Sequence, residues 1–180
     1  QPIAALRIQD EMKADAKECI DYLKSLGIRP VILSGDKNSV VEAIAGKLAI
    51  ANFYFEKNPV EKLEIVKQLS KNGNVAMVGD GINDAPSLTA ASVGISFSQA
   101  SQIAINSAQV VLLNNEKLAT ISESIKISKL TIQTVKQNLF WAFFYNVIAI
   151  PVADLGFLSP MIGAFSMAFS DVMVIGNSIR

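Results

Sequence analysis

The chain has 180 residues, which is enough for one domain of ordinary size with a small addition. Its 16 basic residues balance 16 acidic ones, so no strong electrostatic field favours a nucleic-acid partner. Histidine is absent and Cys19 is the single cysteine, which excludes histidine-based zinc sites, a Cys-x-x-Cys clamp and an internal disulfide. We interpret Cys19 as a buried helix thiol. No segment near the first residue has the pattern of a signal peptide.

Short β-branched runs alternate with helical patterns along the first two thirds of the chain. The runs predict strands at residues 3–8, 30–33, 75–78, 93–95 and 109–113. Helical segments are predicted between them, because such alternation is typical of parallel sheets. The fold class that we predict is α/β, a doubly wound parallel sheet with flanking helices, followed by a helical hairpin.

Capping signals mark three of the predicted helices. The first covers residues 13–26 and ends before Gly27, a residue type common just after a helix. Ser39, with Glu42 three residues later, predicts a capping box at the start of the second. Asn58 and Pro59 predict the start of the third, which continues to about residue 70.

The pattern changes near Leu118, where a mostly polar helix begins and meets no glycine or proline until Pro151. Residues 139–158 and 157–175 are almost wholly apolar, and each run has about the length that crosses a bilayer. The short turn at 154–156 predicts an antiparallel transmembrane hairpin with both ends on the same side. Buried core helices are the alternative. The basic residues that flank those ends place the α/β domain in the cytoplasm by the positive-inside rule: Lys126, Lys129, Lys136 and Arg180.

The segment MVGDGINDAP follows a predicted buried strand, and strand ends are where open α/β sheets bind ligands. Asp80 and Asp84 lie four residues apart, with Asn83 in the same turn, and carboxylates suit Mg²⁺. Gly79 and Gly81 allow the backbone to approach a phosphate closely. An isolated Gly-Asp-Gly is usually a simple turn, whereas the complete string is far more specific.

A second group of polar residues follows the strand predicted at 30–33. Ser34, Gly35 and Asp36 offer a hydroxyl and a backbone N–H to phosphoryl oxygens, although Ser-Gly-Asp is also common in turns. Lys62 offers an ammonium group, although a lone lysine is more often simply solvated. Together with the acidic pair these residues form a phosphoryl-transfer set without a nucleophile. Asp10 has no second aspartate two residues on and no Lys-Thr-Gly-Thr after it, so we do not assign it that role.

Four segments carry a resemblance to a known family. They are MVGDGINDAPSL at 77–88, Ser34-Gly35-Asp36 in place of Thr-Gly-Asp, the stretch from Asn58 to Lys62, and KQNLFWAFFYN at 136–146. With them the chain resembles the haloacid dehalogenase superfamily and, more closely, the heavy-metal (CPx) branch of the P-type ATPases. The resemblance covers nearly the whole chain.

The resemblance implies the C-terminal part of an ATP-driven heavy-metal export pump. Residues 1–117 would be the C-terminal portion of a phosphorylation domain with a haloacid dehalogenase-like sheet, 118–136 would be a connecting cytoplasmic helix, and 137–180 would be two transmembrane helices. Mg²⁺ and ATP are the implied cofactors, and the implied partners are the transported metal ion, a lipid bilayer and an N-terminal portion of the same pump, with no nucleic acid. The implied location is a multi-pass membrane protein with a cytoplasmic α/β domain.

Roles for the site residues follow from the same resemblance. Asp80 would bind magnesium with the support of Asp84, while Ser34 and Lys62 would neutralise the phosphoryl group. The remaining residues of the implied site are Gly35, Asp36, Gly79, Gly81 and Asn83.

Several hallmarks of the family do not occur in these 180 residues. They are the phosphorylated Asp-Lys-Thr-Gly-Thr, the nucleotide-binding domain and the Cys-Pro-Cys membrane helix. We therefore expect a chain that starts partway through the phosphorylation domain and does not pump by itself. Ser92 and the Ser96-Phe97-Ser98 stretch also differ from the family pattern, and we interpret both as variation at the domain surface.

Polar and soft residues within the apolar runs indicate the transported ion. Tyr145 and Asn146 in the first run and Met167 and Ser170 in the second resemble the copper branch. A thioether favours Cu⁺, whereas the zinc and cadmium branch would place an aspartate at the methionine. Taken singly, these side chains also fit packing and interhelical hydrogen bonds. Asp171 complicates the assignment, because copper pumps often have a serine there.

Two other functions stay open at this point. One is a membrane-anchored haloacid dehalogenase-type phosphatase, and the other is a truncated membrane protein that binds metal or a partner without catalysis. The residues preceding Gln1 discriminate between them. Asp-Lys-Thr-Gly-Thr with Cys-Pro-Cys indicates a pump, Asp-x-Asp indicates a phosphatase, and a native start at Gln1 indicates the binding protein.

Overall fold

The computed structural model describes residues 12–114, 117–156 and 160–179. The chain forms two compact units, of which the first reaches Glu123 and the second begins at Ser124. The strand predicted at 3–8 and Asp10 lie outside the described residues.

The first unit is built on parallel strands. In the described ranges these are β1 (Val31–Leu33), β2 (Asn52–Tyr54), β3 (Ala76–Val78), β4 (Val93–Phe97) and β5 (Val110–Leu112). β1 pairs with β2, while β3, β4 and β5 form a second sheet in that order, and every pairing is parallel. Parallel pairing requires crossover connections, so the α/β class predicted from the alternating pattern is confirmed. β2 was not predicted, because three residues are too few to show a period.

Five α-helices precede or connect the strands of the first unit in its described part. They are α1 (Ala16–Ser25), α2 (Asn38–Lys47), α3 (Pro59–Ser70), α4 (Ala85–Ala90) and α5 (Gln102–Ser107), and a 3₁₀ turn at Ile82–Asp84 precedes α4. Gly27 follows α1 with a φ of 76°, as a glycine after a helix often does.

Of the two helix starts predicted from capping boxes or caps, the structure confirms the one at α3 and contradicts the one at α2. At α3 the Asn58 side chain accepts from the N–H groups of Val60 and Glu61, and Glu61 accepts from the N–H of Asn58 at 2.9 Å, so that start is confirmed. The Ser39 capping box is wrong. α2 begins at Asn38, which puts Ser39 inside the first turn, where its side chain can no longer cap the helix.

Two apolar clusters form the core of the first unit. One joins Ala16, Ala45, Leu48 and Ile50, and the other joins Val66, Met77, Leu88 and Ala104. Because Leu33 at the end of β1 packs against the second cluster, this cluster holds the ends of β1 and β3 near α3.

The surface interpretation of the Ser96-Phe97-Ser98 stretch is wrong for two of its residues. Ser96 and Phe97 are buried in β4, and only Ser98 is exposed. β4 also carries Gly94, where a Cβ atom would lie 2.6 Å from the carbonyl oxygen of Leu88. α4 therefore approaches β4 more closely than any side chain at Gly94 would permit.

Two further helices complete the described chain. α6 (Ala119–Asp154) starts in the first unit and continues through Pro151, which confirms the long helix predicted from residue 118. Leu155 and Gly156 form a turn, and α7 (Pro160–Ile179) follows. None of the described helices combines the length and the apolar character needed to cross a membrane. The transmembrane hairpin stays a prediction.

Candidate functional site

Lys62 and Asp84 form the central contact of the candidate site. Lys62 lies on the first turns of α3 and Asp84 at the end of the 3₁₀ turn, and the lysine Nζ donates to the aspartate Oδ1 at 2.8 Å. Both side chains are shielded from most of the solvent, with 13% and 14% of their surface exposed. The structure thus pairs two residues that the sequence predicted for one site, and Asp84 has a lysine partner.

Asp80 differs from Asp84 in its surroundings. It is exposed, and its carboxylate has no hydrogen-bond or ion-pair partner among the residues that the structure describes. Its carbonyl oxygen accepts from the N–H of Ser101 at 3.0 Å, which fixes the backbone at this point. Asn83 is exposed in the following 3₁₀ turn.

The two glycines beside Asp80 leave room for Asp84. A Cβ atom at Gly79 would lie 2.8 Å from the Cβ of Asp84 and 3.1 Å from its Oδ2, and one at Gly81 would lie 3.4 Å from the same Oδ2. The close approach at Gly79 is impossible for any other residue type without displacement of Asp84. The Gly-Asp-Gly string therefore shapes the loop around the aspartate that pairs with Lys62.

Ser34, Gly35 and Asp36 form a compact loop after β1. The Ser34 hydroxyl donates to the Asp36 carboxylate at 2.7 Å and accepts from the Asp36 N–H at 3.1 Å. This is ordinary turn chemistry, and the hydroxyl stays half-exposed. The carbonyl oxygen of Ser34 also accepts from the N–H of Lys57 at 3.0 Å, just before α3 begins.

These loops are held by shared neighbours. The Ser34 loop is bonded to the segment that leads into α3, and α3 carries Lys62, which reaches Asp84. Beneath them, Leu33 packs with the cluster that contains Val66 and Met77. The structure therefore brings Lys62 and Asp84 together directly and links the other loops to them through the backbone and the core.

The donor set at this edge fits a magnesium ion that shares its coordination with a phosphate. In the described residues no group of three or more acidic, cysteine or histidine side chains gathers around one point. Mg²⁺ is commonly held by one or two carboxylates, with waters and phosphate oxygens at its other positions. Asp80, exposed and unpaired in the described chain, is the carboxylate available for that role.

A second candidate site lies between α6 and α7, within the second unit. A groove of about 420 Å³ is lined by Asn146, Met167, Ser170 and Asp171. The amide of Asn146 donates to the carbonyl of Ala142 at 2.9 Å, which leaves its side-chain oxygen available to the groove. The structure thus brings three of the four predicted copper residues together. Tyr145 precedes Asn146 on α6, but its side chain lies outside the described part of the chain.

Sequence reasoning missed a polar contact at the other end of the same helices. Asn138 on α6 donates to the Ser178 hydroxyl at 2.8 Å and accepts from the Asn177 amide at 2.7 Å. The signal was present, since amides and hydroxyls in apolar helices usually find each other. The contact fixes the register of α6 against α7 on the side opposite the turn.

Comparison with known proteins identifies the first unit. Residues 1–92, just over half of the chain, match the haloacid dehalogenase-like hydrolases. The chain belongs to this family. The predicted haloacid dehalogenase-like sheet is thereby confirmed.

More specific relatives of this haloacid dehalogenase-like chain are P-type ATPases. The copper-exporting P-type ATPase of Bacillus subtilis (strain 168) is 41% identical over 174 residues, which cover 96% of this chain and 22% of that protein. A probable copper-importing P-type ATPase A from Enterococcus hirae is also 41% identical, over 99% of this chain and 25% of that protein. The chain therefore spans about a quarter of the length of these relatives.

A solved structure extends the likeness to the fold. A zinc-transporting PIB-type ATPase in its E2.Pi state matches with a TM-score of 0.90 at 32% identity, over 96% of this chain and 28% of that one. Both copper and zinc transporters are thus similar to this haloacid dehalogenase-like chain. The resemblance to heavy-metal P-type ATPases that the sequence motifs indicated is confirmed.

Proposed function

We propose that the chain is part of an ATP-driven heavy-metal pump and supplies the half of its phosphorylation site that holds the phosphoryl group and magnesium. The observation that carries the proposal is the difference in surroundings between Asp80 and Asp84. Asp84 is paired with Lys62 at 2.8 Å, whereas Asp80 is exposed and its carboxylate has no partner in the described part of the chain. A phosphorylation site needs both a fixed cation and a free carboxylate of this kind.

Each residue of the site would have a separate role in binding magnesium or the phosphoryl group. Asp80 would hold a magnesium ion, which supplies neutralising charge to the transferring oxygens when bound. Lys62 directs its ammonium group to the same edge of the sheet, and Asp84 orients it. The hydroxyl of Ser34 would donate to a phosphoryl oxygen after turning away from the Asp36 carboxylate, and the backbone N–H of Gly35 would donate beside it. Gly35, Asp36 and Asn83 shape the surrounding turns.

The test is an Asp80→Asn variant of the intact pump that contains this chain. We expect loss of phosphoenzyme formation or turnover, because the amide removes both charge and a ligand from a site for a hard cation. Asp21→Asn is the matched control, since Asp21 is an exposed aspartate on α1. Normal metal-stimulated ATPase activity in Asp80→Asn would overturn the assignment.

The 180-residue chain by itself is expected to form no phosphoenzyme from ATP and to have no phosphatase activity. It contains no Asp-Lys-Thr-Gly-Thr, so the site described above has no nucleophile of that type. Acid-stable labelling from radioactive ATP that maps to Asp10 would refute this expectation.

For the second unit we propose two membrane-spanning helices that carry part of the metal site, with the first unit in the cytoplasm. The support is the number of large apolar side chains exposed on α6 and α7, since extended exposed apolar surface marks sites of contact with membranes or proteins. Large exposed side chains include Leu139, Phe143, Val147, Ile150, Phe165 and Val172. The 180-residue chain reconstituted with lipid vesicles should resist extraction at alkaline pH. Release with the soluble fraction would contradict the proposal.

We propose Cu⁺ as the transported ion and export as the direction. The groove between α6 and α7 is lined by the thioether of Met167 with Asn146 and Ser170, and a soft donor favours a monovalent soft ion. Relatives named for copper support this choice, although one is named as an importer and a similar structure is a zinc transporter.

The ion is tested by ATPase stimulation of the intact pump under reducing conditions. Cu⁺ and Ag⁺ are expected to stimulate, whereas Zn²⁺ and Cd²⁺ are not. The double variant Met167→Ala, Ser170→Ala should lose Cu⁺ binding, and Met161→Ala, an exposed methionine of α7 outside the groove, should retain it. Stimulation by zinc or cadmium alone would exclude copper. Uptake of Cu⁺ into cells, rather than efflux, would exclude export.

A further inference from the structure

The carboxylate of Asp15 caps a helix that is distant from it in the sequence. Asp15 lies immediately before α1, where an aspartate normally caps its own helix, yet its side chain makes no capping bond to α1. Instead its Oδ2 accepts from the N–H of Ala119 at 2.8 Å, across 104 residues of sequence. Ala119 is the first residue of α6, so this N–H is one that a helix cannot satisfy internally.

Other contacts surround this bond. The Cys19 thiol donates to the carbonyl of Leu118 at 3.3 Å. Leu118 itself packs against the apolar cluster that includes Ala16 and Leu48, and Ile121 in the first turn of α6 is buried. The first turn of α6 is therefore fixed to α1 by a charged cap, a thiol hydrogen bond and apolar packing.

The charged cap is the directional part of this attachment. A carboxylate that accepts from a helix N-terminus bonds more strongly than a neutral acceptor, and it also interacts favourably with the helix dipole. Packing alone tolerates small rotations of a helix about its axis. A single hydrogen bond to the first N–H fixes that rotation, because the donor points in one direction only.

We propose that Asp15 is a positioning residue. It fixes the first turn of α6 to α1 and so couples phosphoryl chemistry in the first unit to the metal site on α6. The proposal rests on the proposed function. α6 continues without interruption from Ala119 to Asp154 and carries Asn146 of the groove. A helix transmits a displacement only if its end is held, and an unfixed first turn frays instead.

The coupling is tested in the intact pump with Asp15→Ala, Asp15→Asn and the surface control Asp21→Ala. Asp15→Ala should still form phosphoenzyme, while its metal-stimulated turnover falls about fivefold, the factor that loss of a typical cap corresponds to. Asp15→Asn keeps a side-chain acceptor and should retain most of the turnover. Ala119→Pro removes the donor and leaves Asp15 in place, and proline is tolerated at a first helical position. Its effect should not add to that of Asp15→Ala.

Alkylation of Cys19 with iodoacetamide in the 180-residue chain tests the cap without any activity. Burial, and then the charge of Asp15, raise the pKa of the Cys19 thiol. Asp15→Ala and Asp15→Asn both remove that charge, so only the cap distinguishes them. We expect Cys19 to react about fivefold faster in Asp15→Ala than in Asp15→Asn.

The possible outcomes test the cap, the coupling and the proposed function separately. Equal alkylation rates in Asp15→Ala and Asp15→Asn would overturn the cap. Full metal-stimulated turnover in Asp15→Ala would overturn the coupling alone. Absence of metal-stimulated activity in the unmodified pump would overturn the proposed function, and the coupling with it.

Discussion

The ion pair between Lys62 and Asp84 predicts a measurable loss of stability when one partner is removed. The two charged atoms lie 2.8 Å apart, and only 13% and 14% of the side chains is exposed. A hydrogen bond between charged groups contributes about 1.5–3 kcal/mol. We expect Lys62→Met to lower the free energy of unfolding of the first unit by about 2 kcal/mol, since it also leaves a shielded carboxylate without its partner.

The chain offers a matched control in a second lysine. Lys57 lies 3.4 Å from Glu61 in an i,i+4 pair whose side chains are 32% and 41% exposed. Exposed pairs of this kind are screened by solvent and contribute little to stability, so Lys57→Met should have little effect. In the double variant Lys62→Met, Asp84→Asn the cost should be smaller than the sum of the single costs by about 1–2 kcal/mol, because both changes break the same contact.

Native-state hydrogen exchange in α3 and β3 is the appropriate assay. It reports on the first unit alone, whereas a single melting transition of a two-unit chain is not two-state. A loss of 2 kcal/mol corresponds to exchange that is about 30-fold faster. If Lys62→Met accelerates exchange no more than Lys57→Met does, or if the two single costs simply add, the inference from proximity and shielding is wrong.

Three further predictions use the same exchange measurement. Gly79→Ala should destabilise the first unit by about 1–3 kcal/mol, because the new Cβ would lie 2.8 Å from the Cβ of Asp84. In the control Gly46→Ala the new Cβ meets open space within α2, and this change should stabilise the unit by about 0.5–1 kcal/mol. Equal effects of the two substitutions would contradict the predicted steric clash at Gly79. Ala49→Gly should stabilise by about 1 kcal/mol, since Ala49 has a φ of 51°, and unchanged protection in α2 would count against strain there. The backbone N–H that bonds to Glu61, and then Lys57, lower the pKa of the Glu61 carboxyl. Its stabilisation of the first turn of α3 should be complete above the ordinary range of glutamate, about pH 4.3, and should be lost as the pH falls through the lowered value. Glu61→Gln should remove this dependence of protection on pH, and an unchanged profile in that variant would refute the assignment.

Local chemistry determined which helices could be predicted. The start of α3 followed from Asn58, Pro59 and Glu61, because a capping box satisfies its bonds within four residues. α2 has no side-chain cap, and the packing of Val41 and Ala45 decides where it lies, which no local pattern states. β2 forms because its backbone pairs with β1, and a segment of three residues is too short for its sequence to indicate that pairing.

The candidate site was predictable as a set of residues and not as a set of contacts. Lys62 and Asp84 were each named, but their pairing joins residues 22 positions apart and depends on the packing of α3 beside β3. The bond from Ala119 to Asp15 was not foreseen at all. An aspartate before a helix normally indicates a cap of that same helix, so the local rule pointed to the wrong partner.

The pairing of Lys62 with Asp84 also determines how the site responds to its ligands. Asp80 and Asp84 are the only charged residues of the 77–86 segment, and the lysine cancels one of those two charges. A lone carboxylate attracts a divalent cation weakly and repels a phosphate. Each of these ligands carries the charge that the other lacks, so either one improves the binding of the other, and linkage requires both affinities to rise by the same factor. On the proposed function, the site therefore binds the cation and the phosphoryl group cooperatively, and it holds each of them weakly when the other is absent.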